Sequence, residues 1–245
     1  MRLATEAIVL AVRAHGEHDA IVRALTPKDG VQPGYVRGGR SRRLRPVLMP
    51  GNLIAAEYRA RTEDQLAHLS PELARSRAPL LSEPVTAAAI DWSTVLTAAA
   101  LPEAQPYPAL YAGLSGLLDA LEAAPSARFW SAALARYELL LLGELGFGLD
   151  FTECAVTGAT HDLEFVSPKS GRAVSTEGAG EYRERLLVLP AFLRGAGGPP
   201  VWPDIIAAMK LTGHFLARDL LVERQAELFA ARDRLLDRLL RIAAP

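Results

Sequence analysis

Short apolar runs separated by turn residues fill the first seventy positions, and the period then changes. From Thr5 to Ala14 the cluster Ile8, Val9, Leu10 and Val12 predicts a strand partly buried on both faces. His15-Gly16-Glu17 reads as a turn, Ile21 to Thr26 as a second strand, Pro27 to Gly30 as a tight turn and Val31 to Arg37 as a third strand. After an Arg-rich loop and Pro46 to Gly51, Asn52 to Arg61 alternates as a fourth strand, and Gln65 to Leu69 supplies a short fifth. Five short strands in about seventy residues is the size of a small Greek-key barrel of the OB type.

From Pro71 onward Ala and Leu take over and strand signals vanish. Pro84 to Ala100, Tyr107 to Ala123 and Ala127 to Leu145 read as helices, the first with Pro in its opening turn and the third ended by Gly143, Gly146 and Gly148. The run ALARYELLLLGELGFG is too apolar for a surface helix and predicts the core of a helical part. Asp150 to Glu184 breaks the pattern and reads as an irregular insert with one small hairpin. Leu186 to Phe192 reads as a short helix, Gly195 to Pro200 as a loop, and Asp204 as the N-cap of a last helical segment whose apolar residues recur at three-to-four spacing to Leu240. The expected fold is therefore α+β. A five-stranded OB-fold barrel (1–72) precedes an all-helical domain (73–149 and 186–245) that carries a small irregular insert (150–185).

Charge sharpens this picture at one place. The 245-residue chain has a formal net charge of −1, yet bases outnumber acids through its first sixty residues. The segment GVQPGYVRGGRSRRLRPVLM places Arg37, Arg40, Arg42, Arg43 and Arg45 around a Gly-Gly pair with no acid among them. Such a field suits a polyphosphate, and the loop is the candidate nucleic-acid contact, against the plain alternative of a solvated cationic surface. Tyr35 and Tyr58 are the nearby aromatic candidates for base stacking, each also readable as a barrel core or rim residue.

Catalytic chemistry finds little support. There is no G-x-S-x-G and no Walker A sequence, and Cys154 has no local His or Asn partner. The single cysteine excludes an internal disulfide and a Cys-based zinc ribbon. His18-Asp19 is a pairing used by HD-type metal phosphohydrolases, but it falls at a predicted turn without further ligands; His68, His161 and His214 lack partners at ligand spacing. The N-terminal apolar run is too short for a signal peptide and no segment reaches membrane-spanning length, so a cytoplasmic location and no membrane partner are expected.

Taken in order, Ala7-Ile8-Val9-Leu10, Arg13, Gly16-Glu17, Asp19, Ile21-Val22, Leu25-Thr26, Gly30 and Arg37-Gly38-Gly39-Arg40 leading to Arg42-Arg43-Leu44-Arg45 form a pattern that resembles the RecO family of DNA repair and recombination mediators. Tyr137-Glu138-Leu139 through Leu142-Gly143, Leu145-Gly146-Phe147, Phe151 and Cys154 extend it, and Glu227-Leu228-Phe229 adds a weaker third block. The resemblance implies an OB-fold and a helical domain that bind single- and double-stranded DNA and anneal complementary strands. It also implies work with RecR to load RecA onto strands coated by single-stranded-DNA-binding protein, without catalytic residue, cofactor or metal. By the same likeness the helical domain would take the acidic, hydrophobic-ended tail of single-stranded-DNA-binding protein at Arg136, Tyr137 and Leu140; a helix-face pair of Arg136 with Glu138 or another acid is the alternative. Many family members carry a four-cysteine zinc element after the central helix. Here Thr157 stands where the second cysteine of a C-x-x-C pair would fall, so the insert is expected to fold without metal, with Cys154 as a small buried apolar anchor. An RNA-binding or translation-associated OB protein is the alternative from another class, and an HD-type hydrolase the remote one.

Overall fold

The computed structural model describes residues 2–62, 65–123, 126–221 and 225–244. Chain contacts divide it into two compact units, Met1–Glu122 and Ala123–Pro245.

The first unit is a closed barrel in the order β1-β2-β3-β5-β4 with two helices. Its strands are β1 (Arg2–His15), β2 (Asp19–Thr26), β3 (Gly30–Val36), β4 (Leu53–Arg59) and β5 (Ala67–Arg75). Strand β1 is long enough to serve two neighbours. Its first half pairs with β4, its second half pairs with β2, and the register shifts between Val9 and Ala11, where the strand bends. Closure depends on a short parallel contact of Gly34 and Tyr35 in β3 with Ala67 and His68 in β5. Gly34 is required there: a Cβ would sit 2.6 Å from the Leu69 Cβ. Inward-facing Ala7, Val9, Val22, Val36, Ile54, Ala56, Tyr58 and Leu69 fill the barrel.

Strand β5 runs past Pro71 to Arg75, where the sequence pattern suggested that strands had ended at Leu69. Pro71 is tolerated because it lies opposite Ala56 of β4, while β3 has already left the other side. The strand's end is tied to α2 (Pro108–Ala123), where Arg75 and the buried Arg77 both pair with Asp119 and Glu122. Helix α1 (Pro84–Ala100) packs on β1 and buries Ile90, Trp92 and Leu96.

The second unit is built on α3 (Ala127–Glu144) and α5 (Trp202–Phe215), which pack together and bury Leu134, Leu141, Leu142, Ile205, Met209 and Phe215. Ser126 caps α3 by accepting the Arg128 N–H. The helix runs through Gly143, expected among the glycines that end it, and stops in a Schellman turn: Gly146 takes φ 89°, and the Phe147 N–H reaches the Leu142 carbonyl at 2.8 Å. The intervening insert is a three-stranded sheet, β7-β6-β8, made of β6 (Leu163–Val166), β7 (Ala173–Ser175) and β8 (Leu187–Val188), with a one-turn helix α4 (Thr176–Ala179). The helix expected over Leu186 to Phe192 is thus replaced by β8 and a 3-10 turn over Ala191–Arg194, because Pro190 removes a donor in its middle. The N-cap of α5 is Val201, not Asp204, which lies in the first helical turn where its charge suits the helix dipole. After a π-helical stretch, Leu216–Leu220, α6 (Gln225–Ala243) returns Arg232 to the core, paired with the fully buried Glu138 of α3.

Candidate nucleic-acid interface

The Arg-rich segment between β3 and β4 is a folded loop. Ser41 starts a helical turn whose backbone bonds run from Arg45 N–H to the Ser41 carbonyl and from Leu48 N–H to the Leu44 carbonyl, at 2.9 and 3.0 Å. That turn puts Leu44 and Leu48 on one side, where both plug the barrel core. Burying two leucines anchors the loop by several kcal/mol at about 1.5–3 kcal/mol each. Arg37, Arg40, Arg42, Arg43 and Arg45 are all left exposed. Arg42, Arg43 and Arg45 have no side-chain hydrogen bond or ion pair among the described residues. Arg40 donates to the Glu17 carbonyl at 2.9 Å, tying the loop to the β1–β2 turn.

Two buried or half-buried polar groups hold this geometry. Asn52, fully buried, donates to the Pro46 and Val47 carbonyls at 2.8 and 3.1 Å and accepts the Arg77 N–H at 2.8 Å. Asp19 accepts the Gly38 N–H at 2.7 Å and the Tyr35 hydroxyl at 2.5 Å. These two bonds hold its carboxyl below the ordinary value, the Gly38 bond most and Tyr35 next, with Arg37 adding attraction. Gly38 takes φ 66°, and a Cβ on Gly39 would stand 2.7 Å from that of Ala20, so the Gly-Gly pair lets the loop turn tightly against β2.

The two tyrosines separate. Tyr35 is half-buried on the outer face, its ring edge-on to His15 at 5.8 Å and to His68 at 6.1 Å. Tyr58 is fully buried in the barrel and offers no ring face to a ligand; its hydroxyl has no hydrogen-bond partner among the described residues, and burial pushes its pKa up. The His18-Asp19 pair is not assembled as a metal centre. His18 is exposed in the turn, Asp19 is spent on Gly38 and Tyr35, and among the described residues no group of three or more His, Cys, Asp or Glu is placed to hold a metal.

In the second unit Arg136 is exposed on α3, stacked 5.2 Å from the Phe192 ring centroid and donating to the Phe192 carbonyl at 3.4 Å. Its neighbour Tyr137 is buried and Leu140 half-buried. Pairing of Arg136 with Glu138 does not occur, since Glu138 faces inward to Arg232. In the insert, Cys154 is buried as expected but is not an apolar anchor. Its Sγ accepts the backbone N–H of Ser175 at 3.2 Å, those of Val156 and Thr157 at 3.4 Å, and the Ser175 hydroxyl at 3.3 Å. Burial pushes the thiol up, but these donors, Ser175 ahead of Thr157, outweigh it and bring its pKa to about 6. With Thr157 in place of a second sulfur and the donors already spent on Cys154, the set does not fit a closed zinc site.

Comparison with known proteins accords with this arrangement. Residues 1–77 match the family model "Recombination protein O N terminal" and residues 81–227 match "Recombination protein O C terminal". The chain belongs to the RecO family. A DNA repair protein RecO of Rhodospirillum centenum is 46% identical over 243 residues, covering 97% of this chain and 94% of that protein. Another, of Phenylobacterium zucineum, is 42% identical over 240 residues and covers 98% of each. Membership places the chain in recombinational DNA repair. Among the described residues no helix is long and apolar enough to cross a membrane.

Two features of the interface were not apparent in the sequence. The acid that positions the loop, Asp19, opens β2 almost twenty residues away, and the histidines beside Tyr35 are distant in sequence; only strand register brings them together.

Proposed function

We propose that this chain is a DNA-binding recombination mediator that anneals complementary strands and, with RecR, helps load RecA onto strands coated by single-stranded-DNA-binding protein. The observation that carries the reading is the anchored loop, which presents Arg37, Arg40, Arg42, Arg43 and Arg45 to solvent from a RecO-family barrel. Annealing brings two polyanions together, and its electrostatic barrier falls when cations neutralise phosphates on both. Fixed guanidinium groups do this without a proton transfer, a nucleophile or a cofactor. Tyr35 is the stacking residue of this reading; Tyr58 has no accessible face.

Single-stranded and duplex DNA both engage the loop, because phosphate contacts carry no sequence or strand information by themselves. The Arg42→Glu, Arg43→Glu double variant should lose annealing, and its log–log salt slope should flatten by about 0.7 to 0.9 for each phosphate that is no longer neutralised. A folded double variant with unchanged affinity and slope would move the site elsewhere. For the tail of single-stranded-DNA-binding protein, Arg136 on α3 is the docking cation beside Tyr137 and Leu140. A tail peptide should bind Arg136→Ala more weakly than wild type, and equal binding rejects this placement. The 150–185 insert is a zinc-less remnant of the zinc element seen in other members, so chelation should leave the melting temperature unchanged.

A further inference from the structure

The barrel register aligns a row of outward side chains beside the Arg loop. Arg13 of β1 pairs with Ile21 of β2, Ile21 with Tyr35 of β3, Tyr35 with His68 of β5, and His68 with Arg59 of β4. Four strand steps at about 4.8 Å make a path of roughly 19 Å along the sheet surface. Its middle is aromatic, its ends cationic. His68 is exposed next to the Tyr35 ring, and His15 approaches the same ring from the other side. Beside His68 and Tyr35 lies an open groove of about 580 Å³, further lined by Arg61, Gln65 and Leu66.

The charges along the row are not equivalent. Arg59 and Arg2 share Glu57, so Arg59 adds little net charge to the groove. Arg13 and Arg61 are exposed with no ion pair among the described residues. Arg37, which acts on both Asp19 and Tyr35, joins this row to the phosphate-binding loop. A protein surface that sets aromatic faces between unpaired cations, with an exposed leucine and an amide nearby, matches an unstacked base flanked by its phosphates. A duplex cannot use it, because each base face there is covered by the next pair.

We propose that the groove at Tyr35, His68, Gln65 and Leu66, with Arg61 and Arg13 as its flanking cations, is a subsite for unpaired bases of single-stranded DNA that gives the barrel a strand preference the Arg loop alone lacks. This rests on the reading of the Arg loop as the phosphate contact.

The test uses the full chain and three labelled probes of equal length: a thymidine single strand, a duplex, and an abasic single strand with the same phosphates. His68 is exposed, so His68→Ala leaves the fold intact. It should bind the thymidine strand roughly five- to tenfold more weakly, the low end for loss of one stacked base, with duplex and abasic affinities and all salt slopes unchanged. His68→Phe, which keeps a ring without its nitrogens, should restore thymidine-strand binding. Arg61→Ala should reduce the single-strand salt slope by about 0.7 and leave the duplex slope alone. Equal losses on the thymidine and abasic strands, or on single strand and duplex, overturn the base subsite, as does no loss at all. In each of those cases the Arg42→Glu, Arg43→Glu variant decides separately whether the loop reading stands: weakened binding of every probe keeps it, and full binding removes both.

Discussion

Replacing Cys154 by serine or alanine tests whether its sulfur works as a buried anion. Three backbone N–H groups and the Ser175 hydroxyl converge on Sγ in a site where Cys154 itself is only 2% exposed. A thiol whose pKa falls from the ordinary 9.0 to about 6 on folding is a thiolate in the folded chain and a thiol in the unfolded one between those two values. The depressed folded pKa stabilises the chain fully above pH 9, and that contribution is lost as pH falls through 6. Within the window each pH unit is worth at most about 1.4 kcal/mol. Going from about pH 6.5 to about pH 8.5, the stability gap between wild type and Cys154→Ser should therefore widen by about 2 kcal/mol, because a serine hydroxyl does not ionise in this range. Cys154→Ala should show the same widening on top of a constant cost of about 1–3 kcal/mol for donors left without an acceptor. Urea unfolding at the two pH values, followed by tryptophan emission, measures both gaps. Parallel stability curves for wild type and Cys154→Ser would refute the thiolate and leave a neutral sulfur held by packing. DNA binding should survive both substitutions, since the Arg loop belongs to the other unit.

Buried contacts set three further expectations. Asn52→Ala strands the Arg77 N–H and frees the carbonyls of Pro46 and Val47, so it should cost about 3 kcal/mol by urea unfolding and weaken DNA binding through a loosened loop. Asp19 has a lowered carboxyl pKa, so its clasp on Gly38 is present above the ordinary value of 3.8 and lost as pH falls through the lower folded value. Hydrogen exchange should show the Gly38 amide protected at neutral pH, deprotected in strong acid, and unprotected throughout in Asp19→Ala. Arg232→Met leaves the Glu138 carboxylate buried without its cation and should destabilise the second unit by about 3–5 kcal/mol, whereas the Glu138→Leu, Arg232→Met pair should recover most of that loss.

What could be read from sequence divides by the distance over which the physics acts. Helices α1, α2 and α3 were legible because their signals are local: a proline in the first turn of α1, the apolar run of α3 and Gly146 after it. The tail of β5 was not, since Pro71, Glu72 and Ala74 are poor strand formers and only pairing with β4 makes them one. Period-two counting distinguishes the tyrosines. Tyr58 shares its parity with the apolar Ile54 and Ala56 and so faces the core, while Tyr35 is offset by one from Val36 and faces out. Leu44 and Leu48, four apart inside a cationic run, are the visible sign that the Arg loop is anchored and not loosely solvated. Asp19 carries no such sign, because an acid beside a histidine in a turn looks like a metal ligand until β2–β3 pairing sets residue 38 above it. The same long-range pairing makes the interface more than a patch of charge. Five guanidinium groups on a free chain would lose conformational entropy on meeting DNA, whereas a loop already held by Leu44, Leu48, Asn52 and Asp19 has met most of that cost in folding. A variant that frees the loop while keeping every arginine should therefore bind DNA more weakly with an unaltered salt slope, which separates preorganisation from charge.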